Sequence, residues 1–121
     1  MNLLLTDQTV TRVSFDHAVT LLFDSGAQLG LGVPFSLRLQ AGSPQVIDPE
    51  QVGPFAADVL SLLHQRVQSV EADDTGVLRL RLESGCELVV QPHEMYEAWS
   101  LTGPEQRVVV ALPGGGLSTW A

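Results

Sequence analysis

The sequence predicts a mainly β (α+β) fold: two antiparallel β-meanders from an internal duplication, packed as a sandwich or partly open barrel, with one connecting helix and a C-terminal hairpin. Three observations predict it. First, apolar and polar residues alternate over several short runs. The cleanest is 77–82, where Leu78, Leu80 and Leu82 point one way and Arg79 and Arg81 the other. Second, Asp/Ser/Gly turns separate the runs, at Asp24-Ser25-Gly26, Asp73-Asp74-Thr75-Gly76 and Glu83-Ser84-Gly85. Third, Leu21, Phe23, Ser25, Gly26, Leu29 and Leu31 align without gaps onto Leu80, Leu82, Ser84, Gly85, Leu88 and Val90.

In chain order, residues 10–15 read as a strand and Asp16-His17 as a two-residue turn. Residues 18–23 and 27–32 make the next strands, and Phe35, Leu37 and Leu39 mark a fourth. Gln40 to Pro44 is a loop. Asp48-Pro49-Glu50-Gln51 resembles a helix start with Asp48 as cap, interrupted by Gly53-Pro54. A helix is predicted from Pro54 to about Val67. Phe55, Ala56, Val59, Leu60, Leu63 and Val67 recur at three-and-four spacing, and proline suits a first helical position. The helix is expected to connect the two copies and plug the core.

The second copy runs from about 67 to 101 and the first from about 10 to 40. Val10 and Val13 match Val67 and Val70 if the first turn of the second copy is two residues longer, and Phe35 then corresponds roughly to Tyr96. Beyond the repeat, Tyr96 to Leu101 is predicted as strand and Gly103-Pro104-Glu105-Gln106 as a turn. A hairpin over 107–120 follows, with Val108, Val110 and Leu112 on one side and a reversal at Pro113-Gly114-Gly115-Gly116. The whole chain is expected to be one domain.

The chain has 121 residues, 45% of them hydrophobic, enough for one packed core and too many for disorder. All six basic residues are arginines, against seven Asp and seven Glu, a formal net charge of −8. Such a balance repels phosphate backbones, so nucleic acid is an unfavoured partner and a basic protein a better one. The plainer reading is that acidity keeps an apolar domain in solution. The one cysteine, Cys86, can form no internal disulfide, which fits a reducing compartment. The apolar start Met1–Leu5 has no basic flank and ends at Thr6-Asp7, too short for a signal peptide, and no stretch reaches bilayer length. These features predict a cytoplasmic protein without a membrane association.

Glu97-Ala98-Trp99, then Leu112-Pro113-Gly114-Gly115-Gly116-Leu117 and Trp120, resembles the ending of a family of small bacterial proteins, mostly actinobacterial, with no established activity. Val10, Val13, Val19, Leu21, Phe23 and Gly26 are similar to its early pattern. The resemblance implies a fold and a source, and no catalytic residues. A chain without lysine is consistent with a high-GC genome.

His93-Glu94-Met95-Tyr96-Glu97 is the most chemical-looking stretch. It holds the first half of a His-Glu-x-x-His zinc motif, but Glu97 stands where the second imidazole must be, so a solvated loop is the favoured reading. Asp16-His17 would add a carboxylate and an imidazole if the turns of the two copies meet. His64 at the end of the predicted helix suits the partial negative charge there. Cys86 takes the place of Ala27 in the other copy and reads as packing. Gly114-Gly115-Gly116 and Gly30-Leu31-Gly32 lack the helix a phosphate loop needs, although Gly30 and Gly32 on one side of a strand imply a close neighbour. Trp99 and Trp120 are core or a binding patch; two tryptophans in one hairpin more often pack the core of that hairpin.

No catalytic, cofactor or metal site is assigned. The candidate interaction residues are His17, His93, Glu94, Tyr96, Glu97, Trp99 and Trp120. Three classes of function follow. The first is a non-enzymatic interaction module with an acidic surface, for instance an immunity-type protein holding a basic partner. The others are a small-ligand-binding β domain and an enzyme or metal site built on His17, His93, Glu94 and Glu97. Leu22, Val89 and Val109 are expected to face outward, which would favour a homodimer.

Overall fold

The alternating stretches fold as antiparallel strands that turn their apolar residues onto one shared core. The computed structural model describes residues 1–104 and 107–120. The first half comprises β1 (Val10–Phe15), β2 (Val19–Phe23), β3 (Gln28–Leu31), β4 (Phe35–Arg38) and β5 (Gln45–Ile47). A 3-10 turn (Gly53–Phe55) and helix α1 (Ala56–Leu60) lead to β6 (Val67–Ala72), β7 (Leu78–Leu82), β8 (Glu87–Val90), β9 (Trp99–Thr102), β10 (Val108–Ala111) and β11 (Leu117–Trp120). The six-stranded sheet has the order β1-β2-β3-β9-β10-β11, and the five-stranded sheet the order β5-β4-β8-β7-β6. The two pack against each other without closing into a barrel. Val19, Leu21, Phe23, Leu29 and Leu31 of the first form one buried cluster with Leu78, Leu80, Leu82, Leu88 and Val90 of the second. Each such side chain contributes about 1.5–3 kcal/mol by leaving water.

The two halves share local detail. β1–β2 shifts register between Val10 and Arg12, and β6–β7 shifts between Val67 and Ser69. The halves meet around a Thr9–Arg66 bridge. On either side of it Val10 N donates to Gln65 O (3.0 Å) and Val67 N to Gln8 O (2.8 Å), while His64 N donates to Val10 O and Asp7 N to Val67 O. Asp7 and His64, each three residues before a bulged valine, share the left-handed conformation, at φ 69° and 70°. Ser25 Oγ donates to Gln8 Oε1, and Ser84 Oγ donates to Gln65 Oε1.

The fourth strands exchange. β4 leaves the first three strands and pairs with β8, and β9 leaves β6–β8 and pairs with β3. Leu37 faces Leu88 as Leu101 faces Leu29, so Phe35 corresponds to Trp99 rather than to Tyr96. Two crossovers make the exchange, three residues at 32–34 and eight at 91–98.

Several expectations change. The helix is five residues long, not fourteen, because the backbone beyond it is committed elsewhere: His64 N and Gln65 O bond to Val10. A chain cannot supply those bonds and continue an α-helix. Val59 and Leu62 are buried, whereas Leu60 is 44% exposed. His64 caps no helix; it is exposed in a left-handed turn. Residues 45–47 form a strand, and Asp48 Oδ1 accepts from Glu50 N (3.0 Å) in a local turn instead of capping a helix. β9 begins at Trp99, leaving Tyr96 outside it. Val109 pairs with Leu101 and points inward, 1% exposed. Leu22 and Val89 do alternate outward, half-covered between fully buried neighbours, so of the expected outward set Val109 alone turns in. Ser100 Oγ would lie 3.3 Å from a Cβ on Gly30, which makes the neighbouring strand β9 the close packer there. Glu105 and Gln106, placed in the predicted 103–106 turn, lie outside the described residues. Among the described residues no helix is long and apolar enough to cross a membrane.

Candidate functional site

The short crossover passes directly beside the long one, with Gly32 N donating to Ala98 O (3.0 Å). A cleft of about 350 Å³ lies there, lined by Gly32, Val33, Pro34, Asp48, Glu50, His93 and Tyr96. Pro34 closes the short crossover, and the turn after β5 brings in Asp48 and Glu50. His93 and Tyr96 come from the longer crossover. Their rings lie 5.0 Å apart between centroids and tilt by 39°. Met95 N donates to His93 Nδ1 (2.9 Å), so the neutral ring carries its proton on Nε2. Tyr96 is 63% exposed and Met95 73%. The site thus offers an aromatic face, an imidazole N–H and two carboxylates.

The remaining candidates are dispersed. Glu94 and Glu97 are exposed on the same crossover but do not line the cleft. His17 is exposed in the β1–β2 turn, also outside the cleft, where Asp16 Oδ1 accepts from Ala18 N. Trp120 is 53% exposed at the end of β11. Trp99 is buried, and its Nε1 donates to Gly76 O (2.9 Å), tying the first sheet to the β6–β7 turn of the second. Cys86 is buried with a free thiol. Among the described residues no three His, Cys, Asp or Glu side chains come together to hold a metal ion.

The C-terminal glycine turn serves the same tie. Gly116 N donates to Thr75 O and Gly114 N to His93 O, so the glycine turn docks on the β6–β7 turn and on the long crossover. That turn is organised by Asp73, whose Oδ1 accepts from Thr75 N, Thr75 Oγ1 and Val77 N. These bonds, the Thr75 hydroxyl's foremost, hold the Asp73 carboxyl below its ordinary value.

Charge is sorted by position. Among the described acidic residues only Glu71 and Glu87 lie in strands; the others occupy turns, loops and the helix. On the outer face of the second sheet Arg79 and Arg81 pair with Glu87. The negative potential therefore belongs to the loops, including those around the cleft.

Sequence reasoning missed Asp48 and Glu50. Their approach to His93 depends on the exchange of β4, which no local pattern records. The one signal was length: the second crossover carries five residues more than the first.

A small antiparallel β-sandwich with exchanged fourth strands and a polar cleft at its crossovers is the class of protein these features define. The chain belongs to the Family of unknown function (DUF6188), whose model matches residues 1–121. No curated protein and no solved structure matches it.

Proposed function

We propose that the chain is a non-enzymatic protein-interaction module that holds a basic protein partner by its acidic loops, with the crossover cleft as the point of engagement. The observation that carries this reading is Tyr96, a largely exposed aromatic that lines one cleft with Asp48 and Glu50, in a crossover longer than its counterpart. An aromatic face next to carboxylates receives a guanidinium or ammonium group by cation–π attraction and charge-assisted hydrogen bonds. Neutralising a basic toxin is one concrete form of such a role. An enzyme built on His17, His93, Glu94 and Glu97 draws less support, because only His93 of the four lines the cleft.

The test is titration with a tetra-arginine peptide followed by NMR. The expected result is saturable shifts at residues 32–34, 48–50 and 93–96, weakening as salt rises. Tyr96→Ala and Asp48→Asn should each weaken binding about tenfold, the equivalent of about 1.4 kcal/mol. Shifts spread evenly over all acidic loops, or affinity unchanged in both variants, would overturn the proposal.

A further inference from the structure

A second concavity, remote in chemistry from the crossover cleft, lies between the N-terminal segment and the β9–β10 hairpin. It measures about 400 Å³, within the range of about 300–1,000 Å³ usual for small-molecule sites. Its floor is apolar: Leu3, Leu5, Leu101 and Val109 are all at most 5% exposed. The N-terminal wall is fixed, because Leu3 N donates to Val70 O and Ala72 N to Met1 O along the edge of β6.

Two features of the rim point to an occupant. Among the described residues that line the groove, Arg107 is the charged one. Leu4 lines it too, and is held in the left-handed conformation at φ 62° with its side chain 62% exposed. Leu4 N donates to Asn2 Oδ1 (2.8 Å), which accounts for the local turn, but an aliphatic side chain gains nothing from that exposure. Its side chain does gain by covering an apolar molecule seated against Leu101 and Val109.

We infer that this groove binds an amphipathic carboxylate of the fatty-acid class. The alkyl chain would lie on Leu3, Leu5, Leu101 and Val109 under Leu4, and the carboxylate at the Arg107 guanidinium. The planar fork of arginine fits a carboxylate with two parallel hydrogen bonds. Local charge sets the head group: among the described residues the groove presents a cation, whereas the crossover cleft presents carboxylates, so the two sites select opposite ligands.

The experiment is calorimetric titration with decanoate below its micelle concentration, with decanol as the uncharged comparison. One equivalent of decanoate should bind, at least tenfold more tightly than decanol. Arg107→Gln should abolish that preference. Leu4→Asn, which suits the left-handed backbone, should preserve or raise the melting temperature while weakening decanoate at least fivefold. That pairing of effects separates ligand contact from a structural role. Absence of saturable binding, equal affinity for decanol, or affinity unchanged by both substitutions would overturn the inference.

Discussion

The indole N–H of Trp99 donates to the carbonyl of Gly76 across the sandwich, at 2.9 Å and out of contact with water. One side chain thereby joins β9 of the first sheet to the β6–β7 turn of the second. The bond matters because neither group has water to fall back on.

Trp99→Phe should cost about 2–4 kcal/mol, from the lost volume and the orphaned Gly76 carbonyl together. Trp120→Phe, at an exposed position, should stay within about 0.5 kcal/mol. Urea unfolding of both variants checks the contrast. Equal costs would mean that the indole bond contributes nothing.

Gly76 sits at φ 99°, and a Cβ there would meet Gly116 O at 3.0 Å. Gly114 sits at φ 81° with nothing near its missing Cβ. Gly76→Ala should therefore cost more than about 2 kcal/mol, and Gly114→Ala only about 1 kcal/mol. Melting curves of the two variants measure the difference.

Asp73 has its carboxyl pKa lowered by the Thr75 hydroxyl and the Val77 and Thr75 amides. A depressed carboxylate stabilises the fold above the unfolded pKa, about 3.9, and that contribution is lost as pH falls through the folded value. The stability gap between wild type and Asp73→Asn should be flat from neutral pH to about pH 5. It should then shrink below about pH 4. A gap unchanged at low pH would remove Asp73 from the acid response.

Leu62 is fully buried just past the helix, while Leu60 on its last turn is 44% exposed. Leu62→Ala should cost about 2–5 kcal/mol and Leu60→Ala under about 0.5 kcal/mol. Denaturant midpoints decide it. The reverse order would restore the longer amphipathic helix that the spacing implied.

Strand positions were legible because their period is local. Leu78, Leu80 and Leu82 declare a buried face whatever pairs with them, and Ser25-Gly26 and Ser84-Gly85 declare their turns. Helix length was not legible. The spacing from Phe55 to Val67 is helical, yet Val10 takes the backbone bonds of His64 and Gln65, and that competition is long-range. The cleft was half legible: His93 and Tyr96 stand in a conspicuous stretch, but Asp48 and Glu50 reach them only through the exchange of β4. Trp99 illustrates the converse. Two tryptophans near one hairpin favoured the core over a binding patch for both, yet only Trp99 goes inward with β9, while Trp120 is 53% exposed.

The exchange also sets when the protein can mature. Leu31 of β3 must wait for Trp99 of β9, so the first sheet stays bare-edged while the ribosome still holds the later strands. Pairings so distant along a chain close slowly and leave greasy edges open to stray contacts meanwhile. A nascent chain stalled before β9 would present an unfinished sheet to chaperones and proteases. Neither half could reach safety without the other.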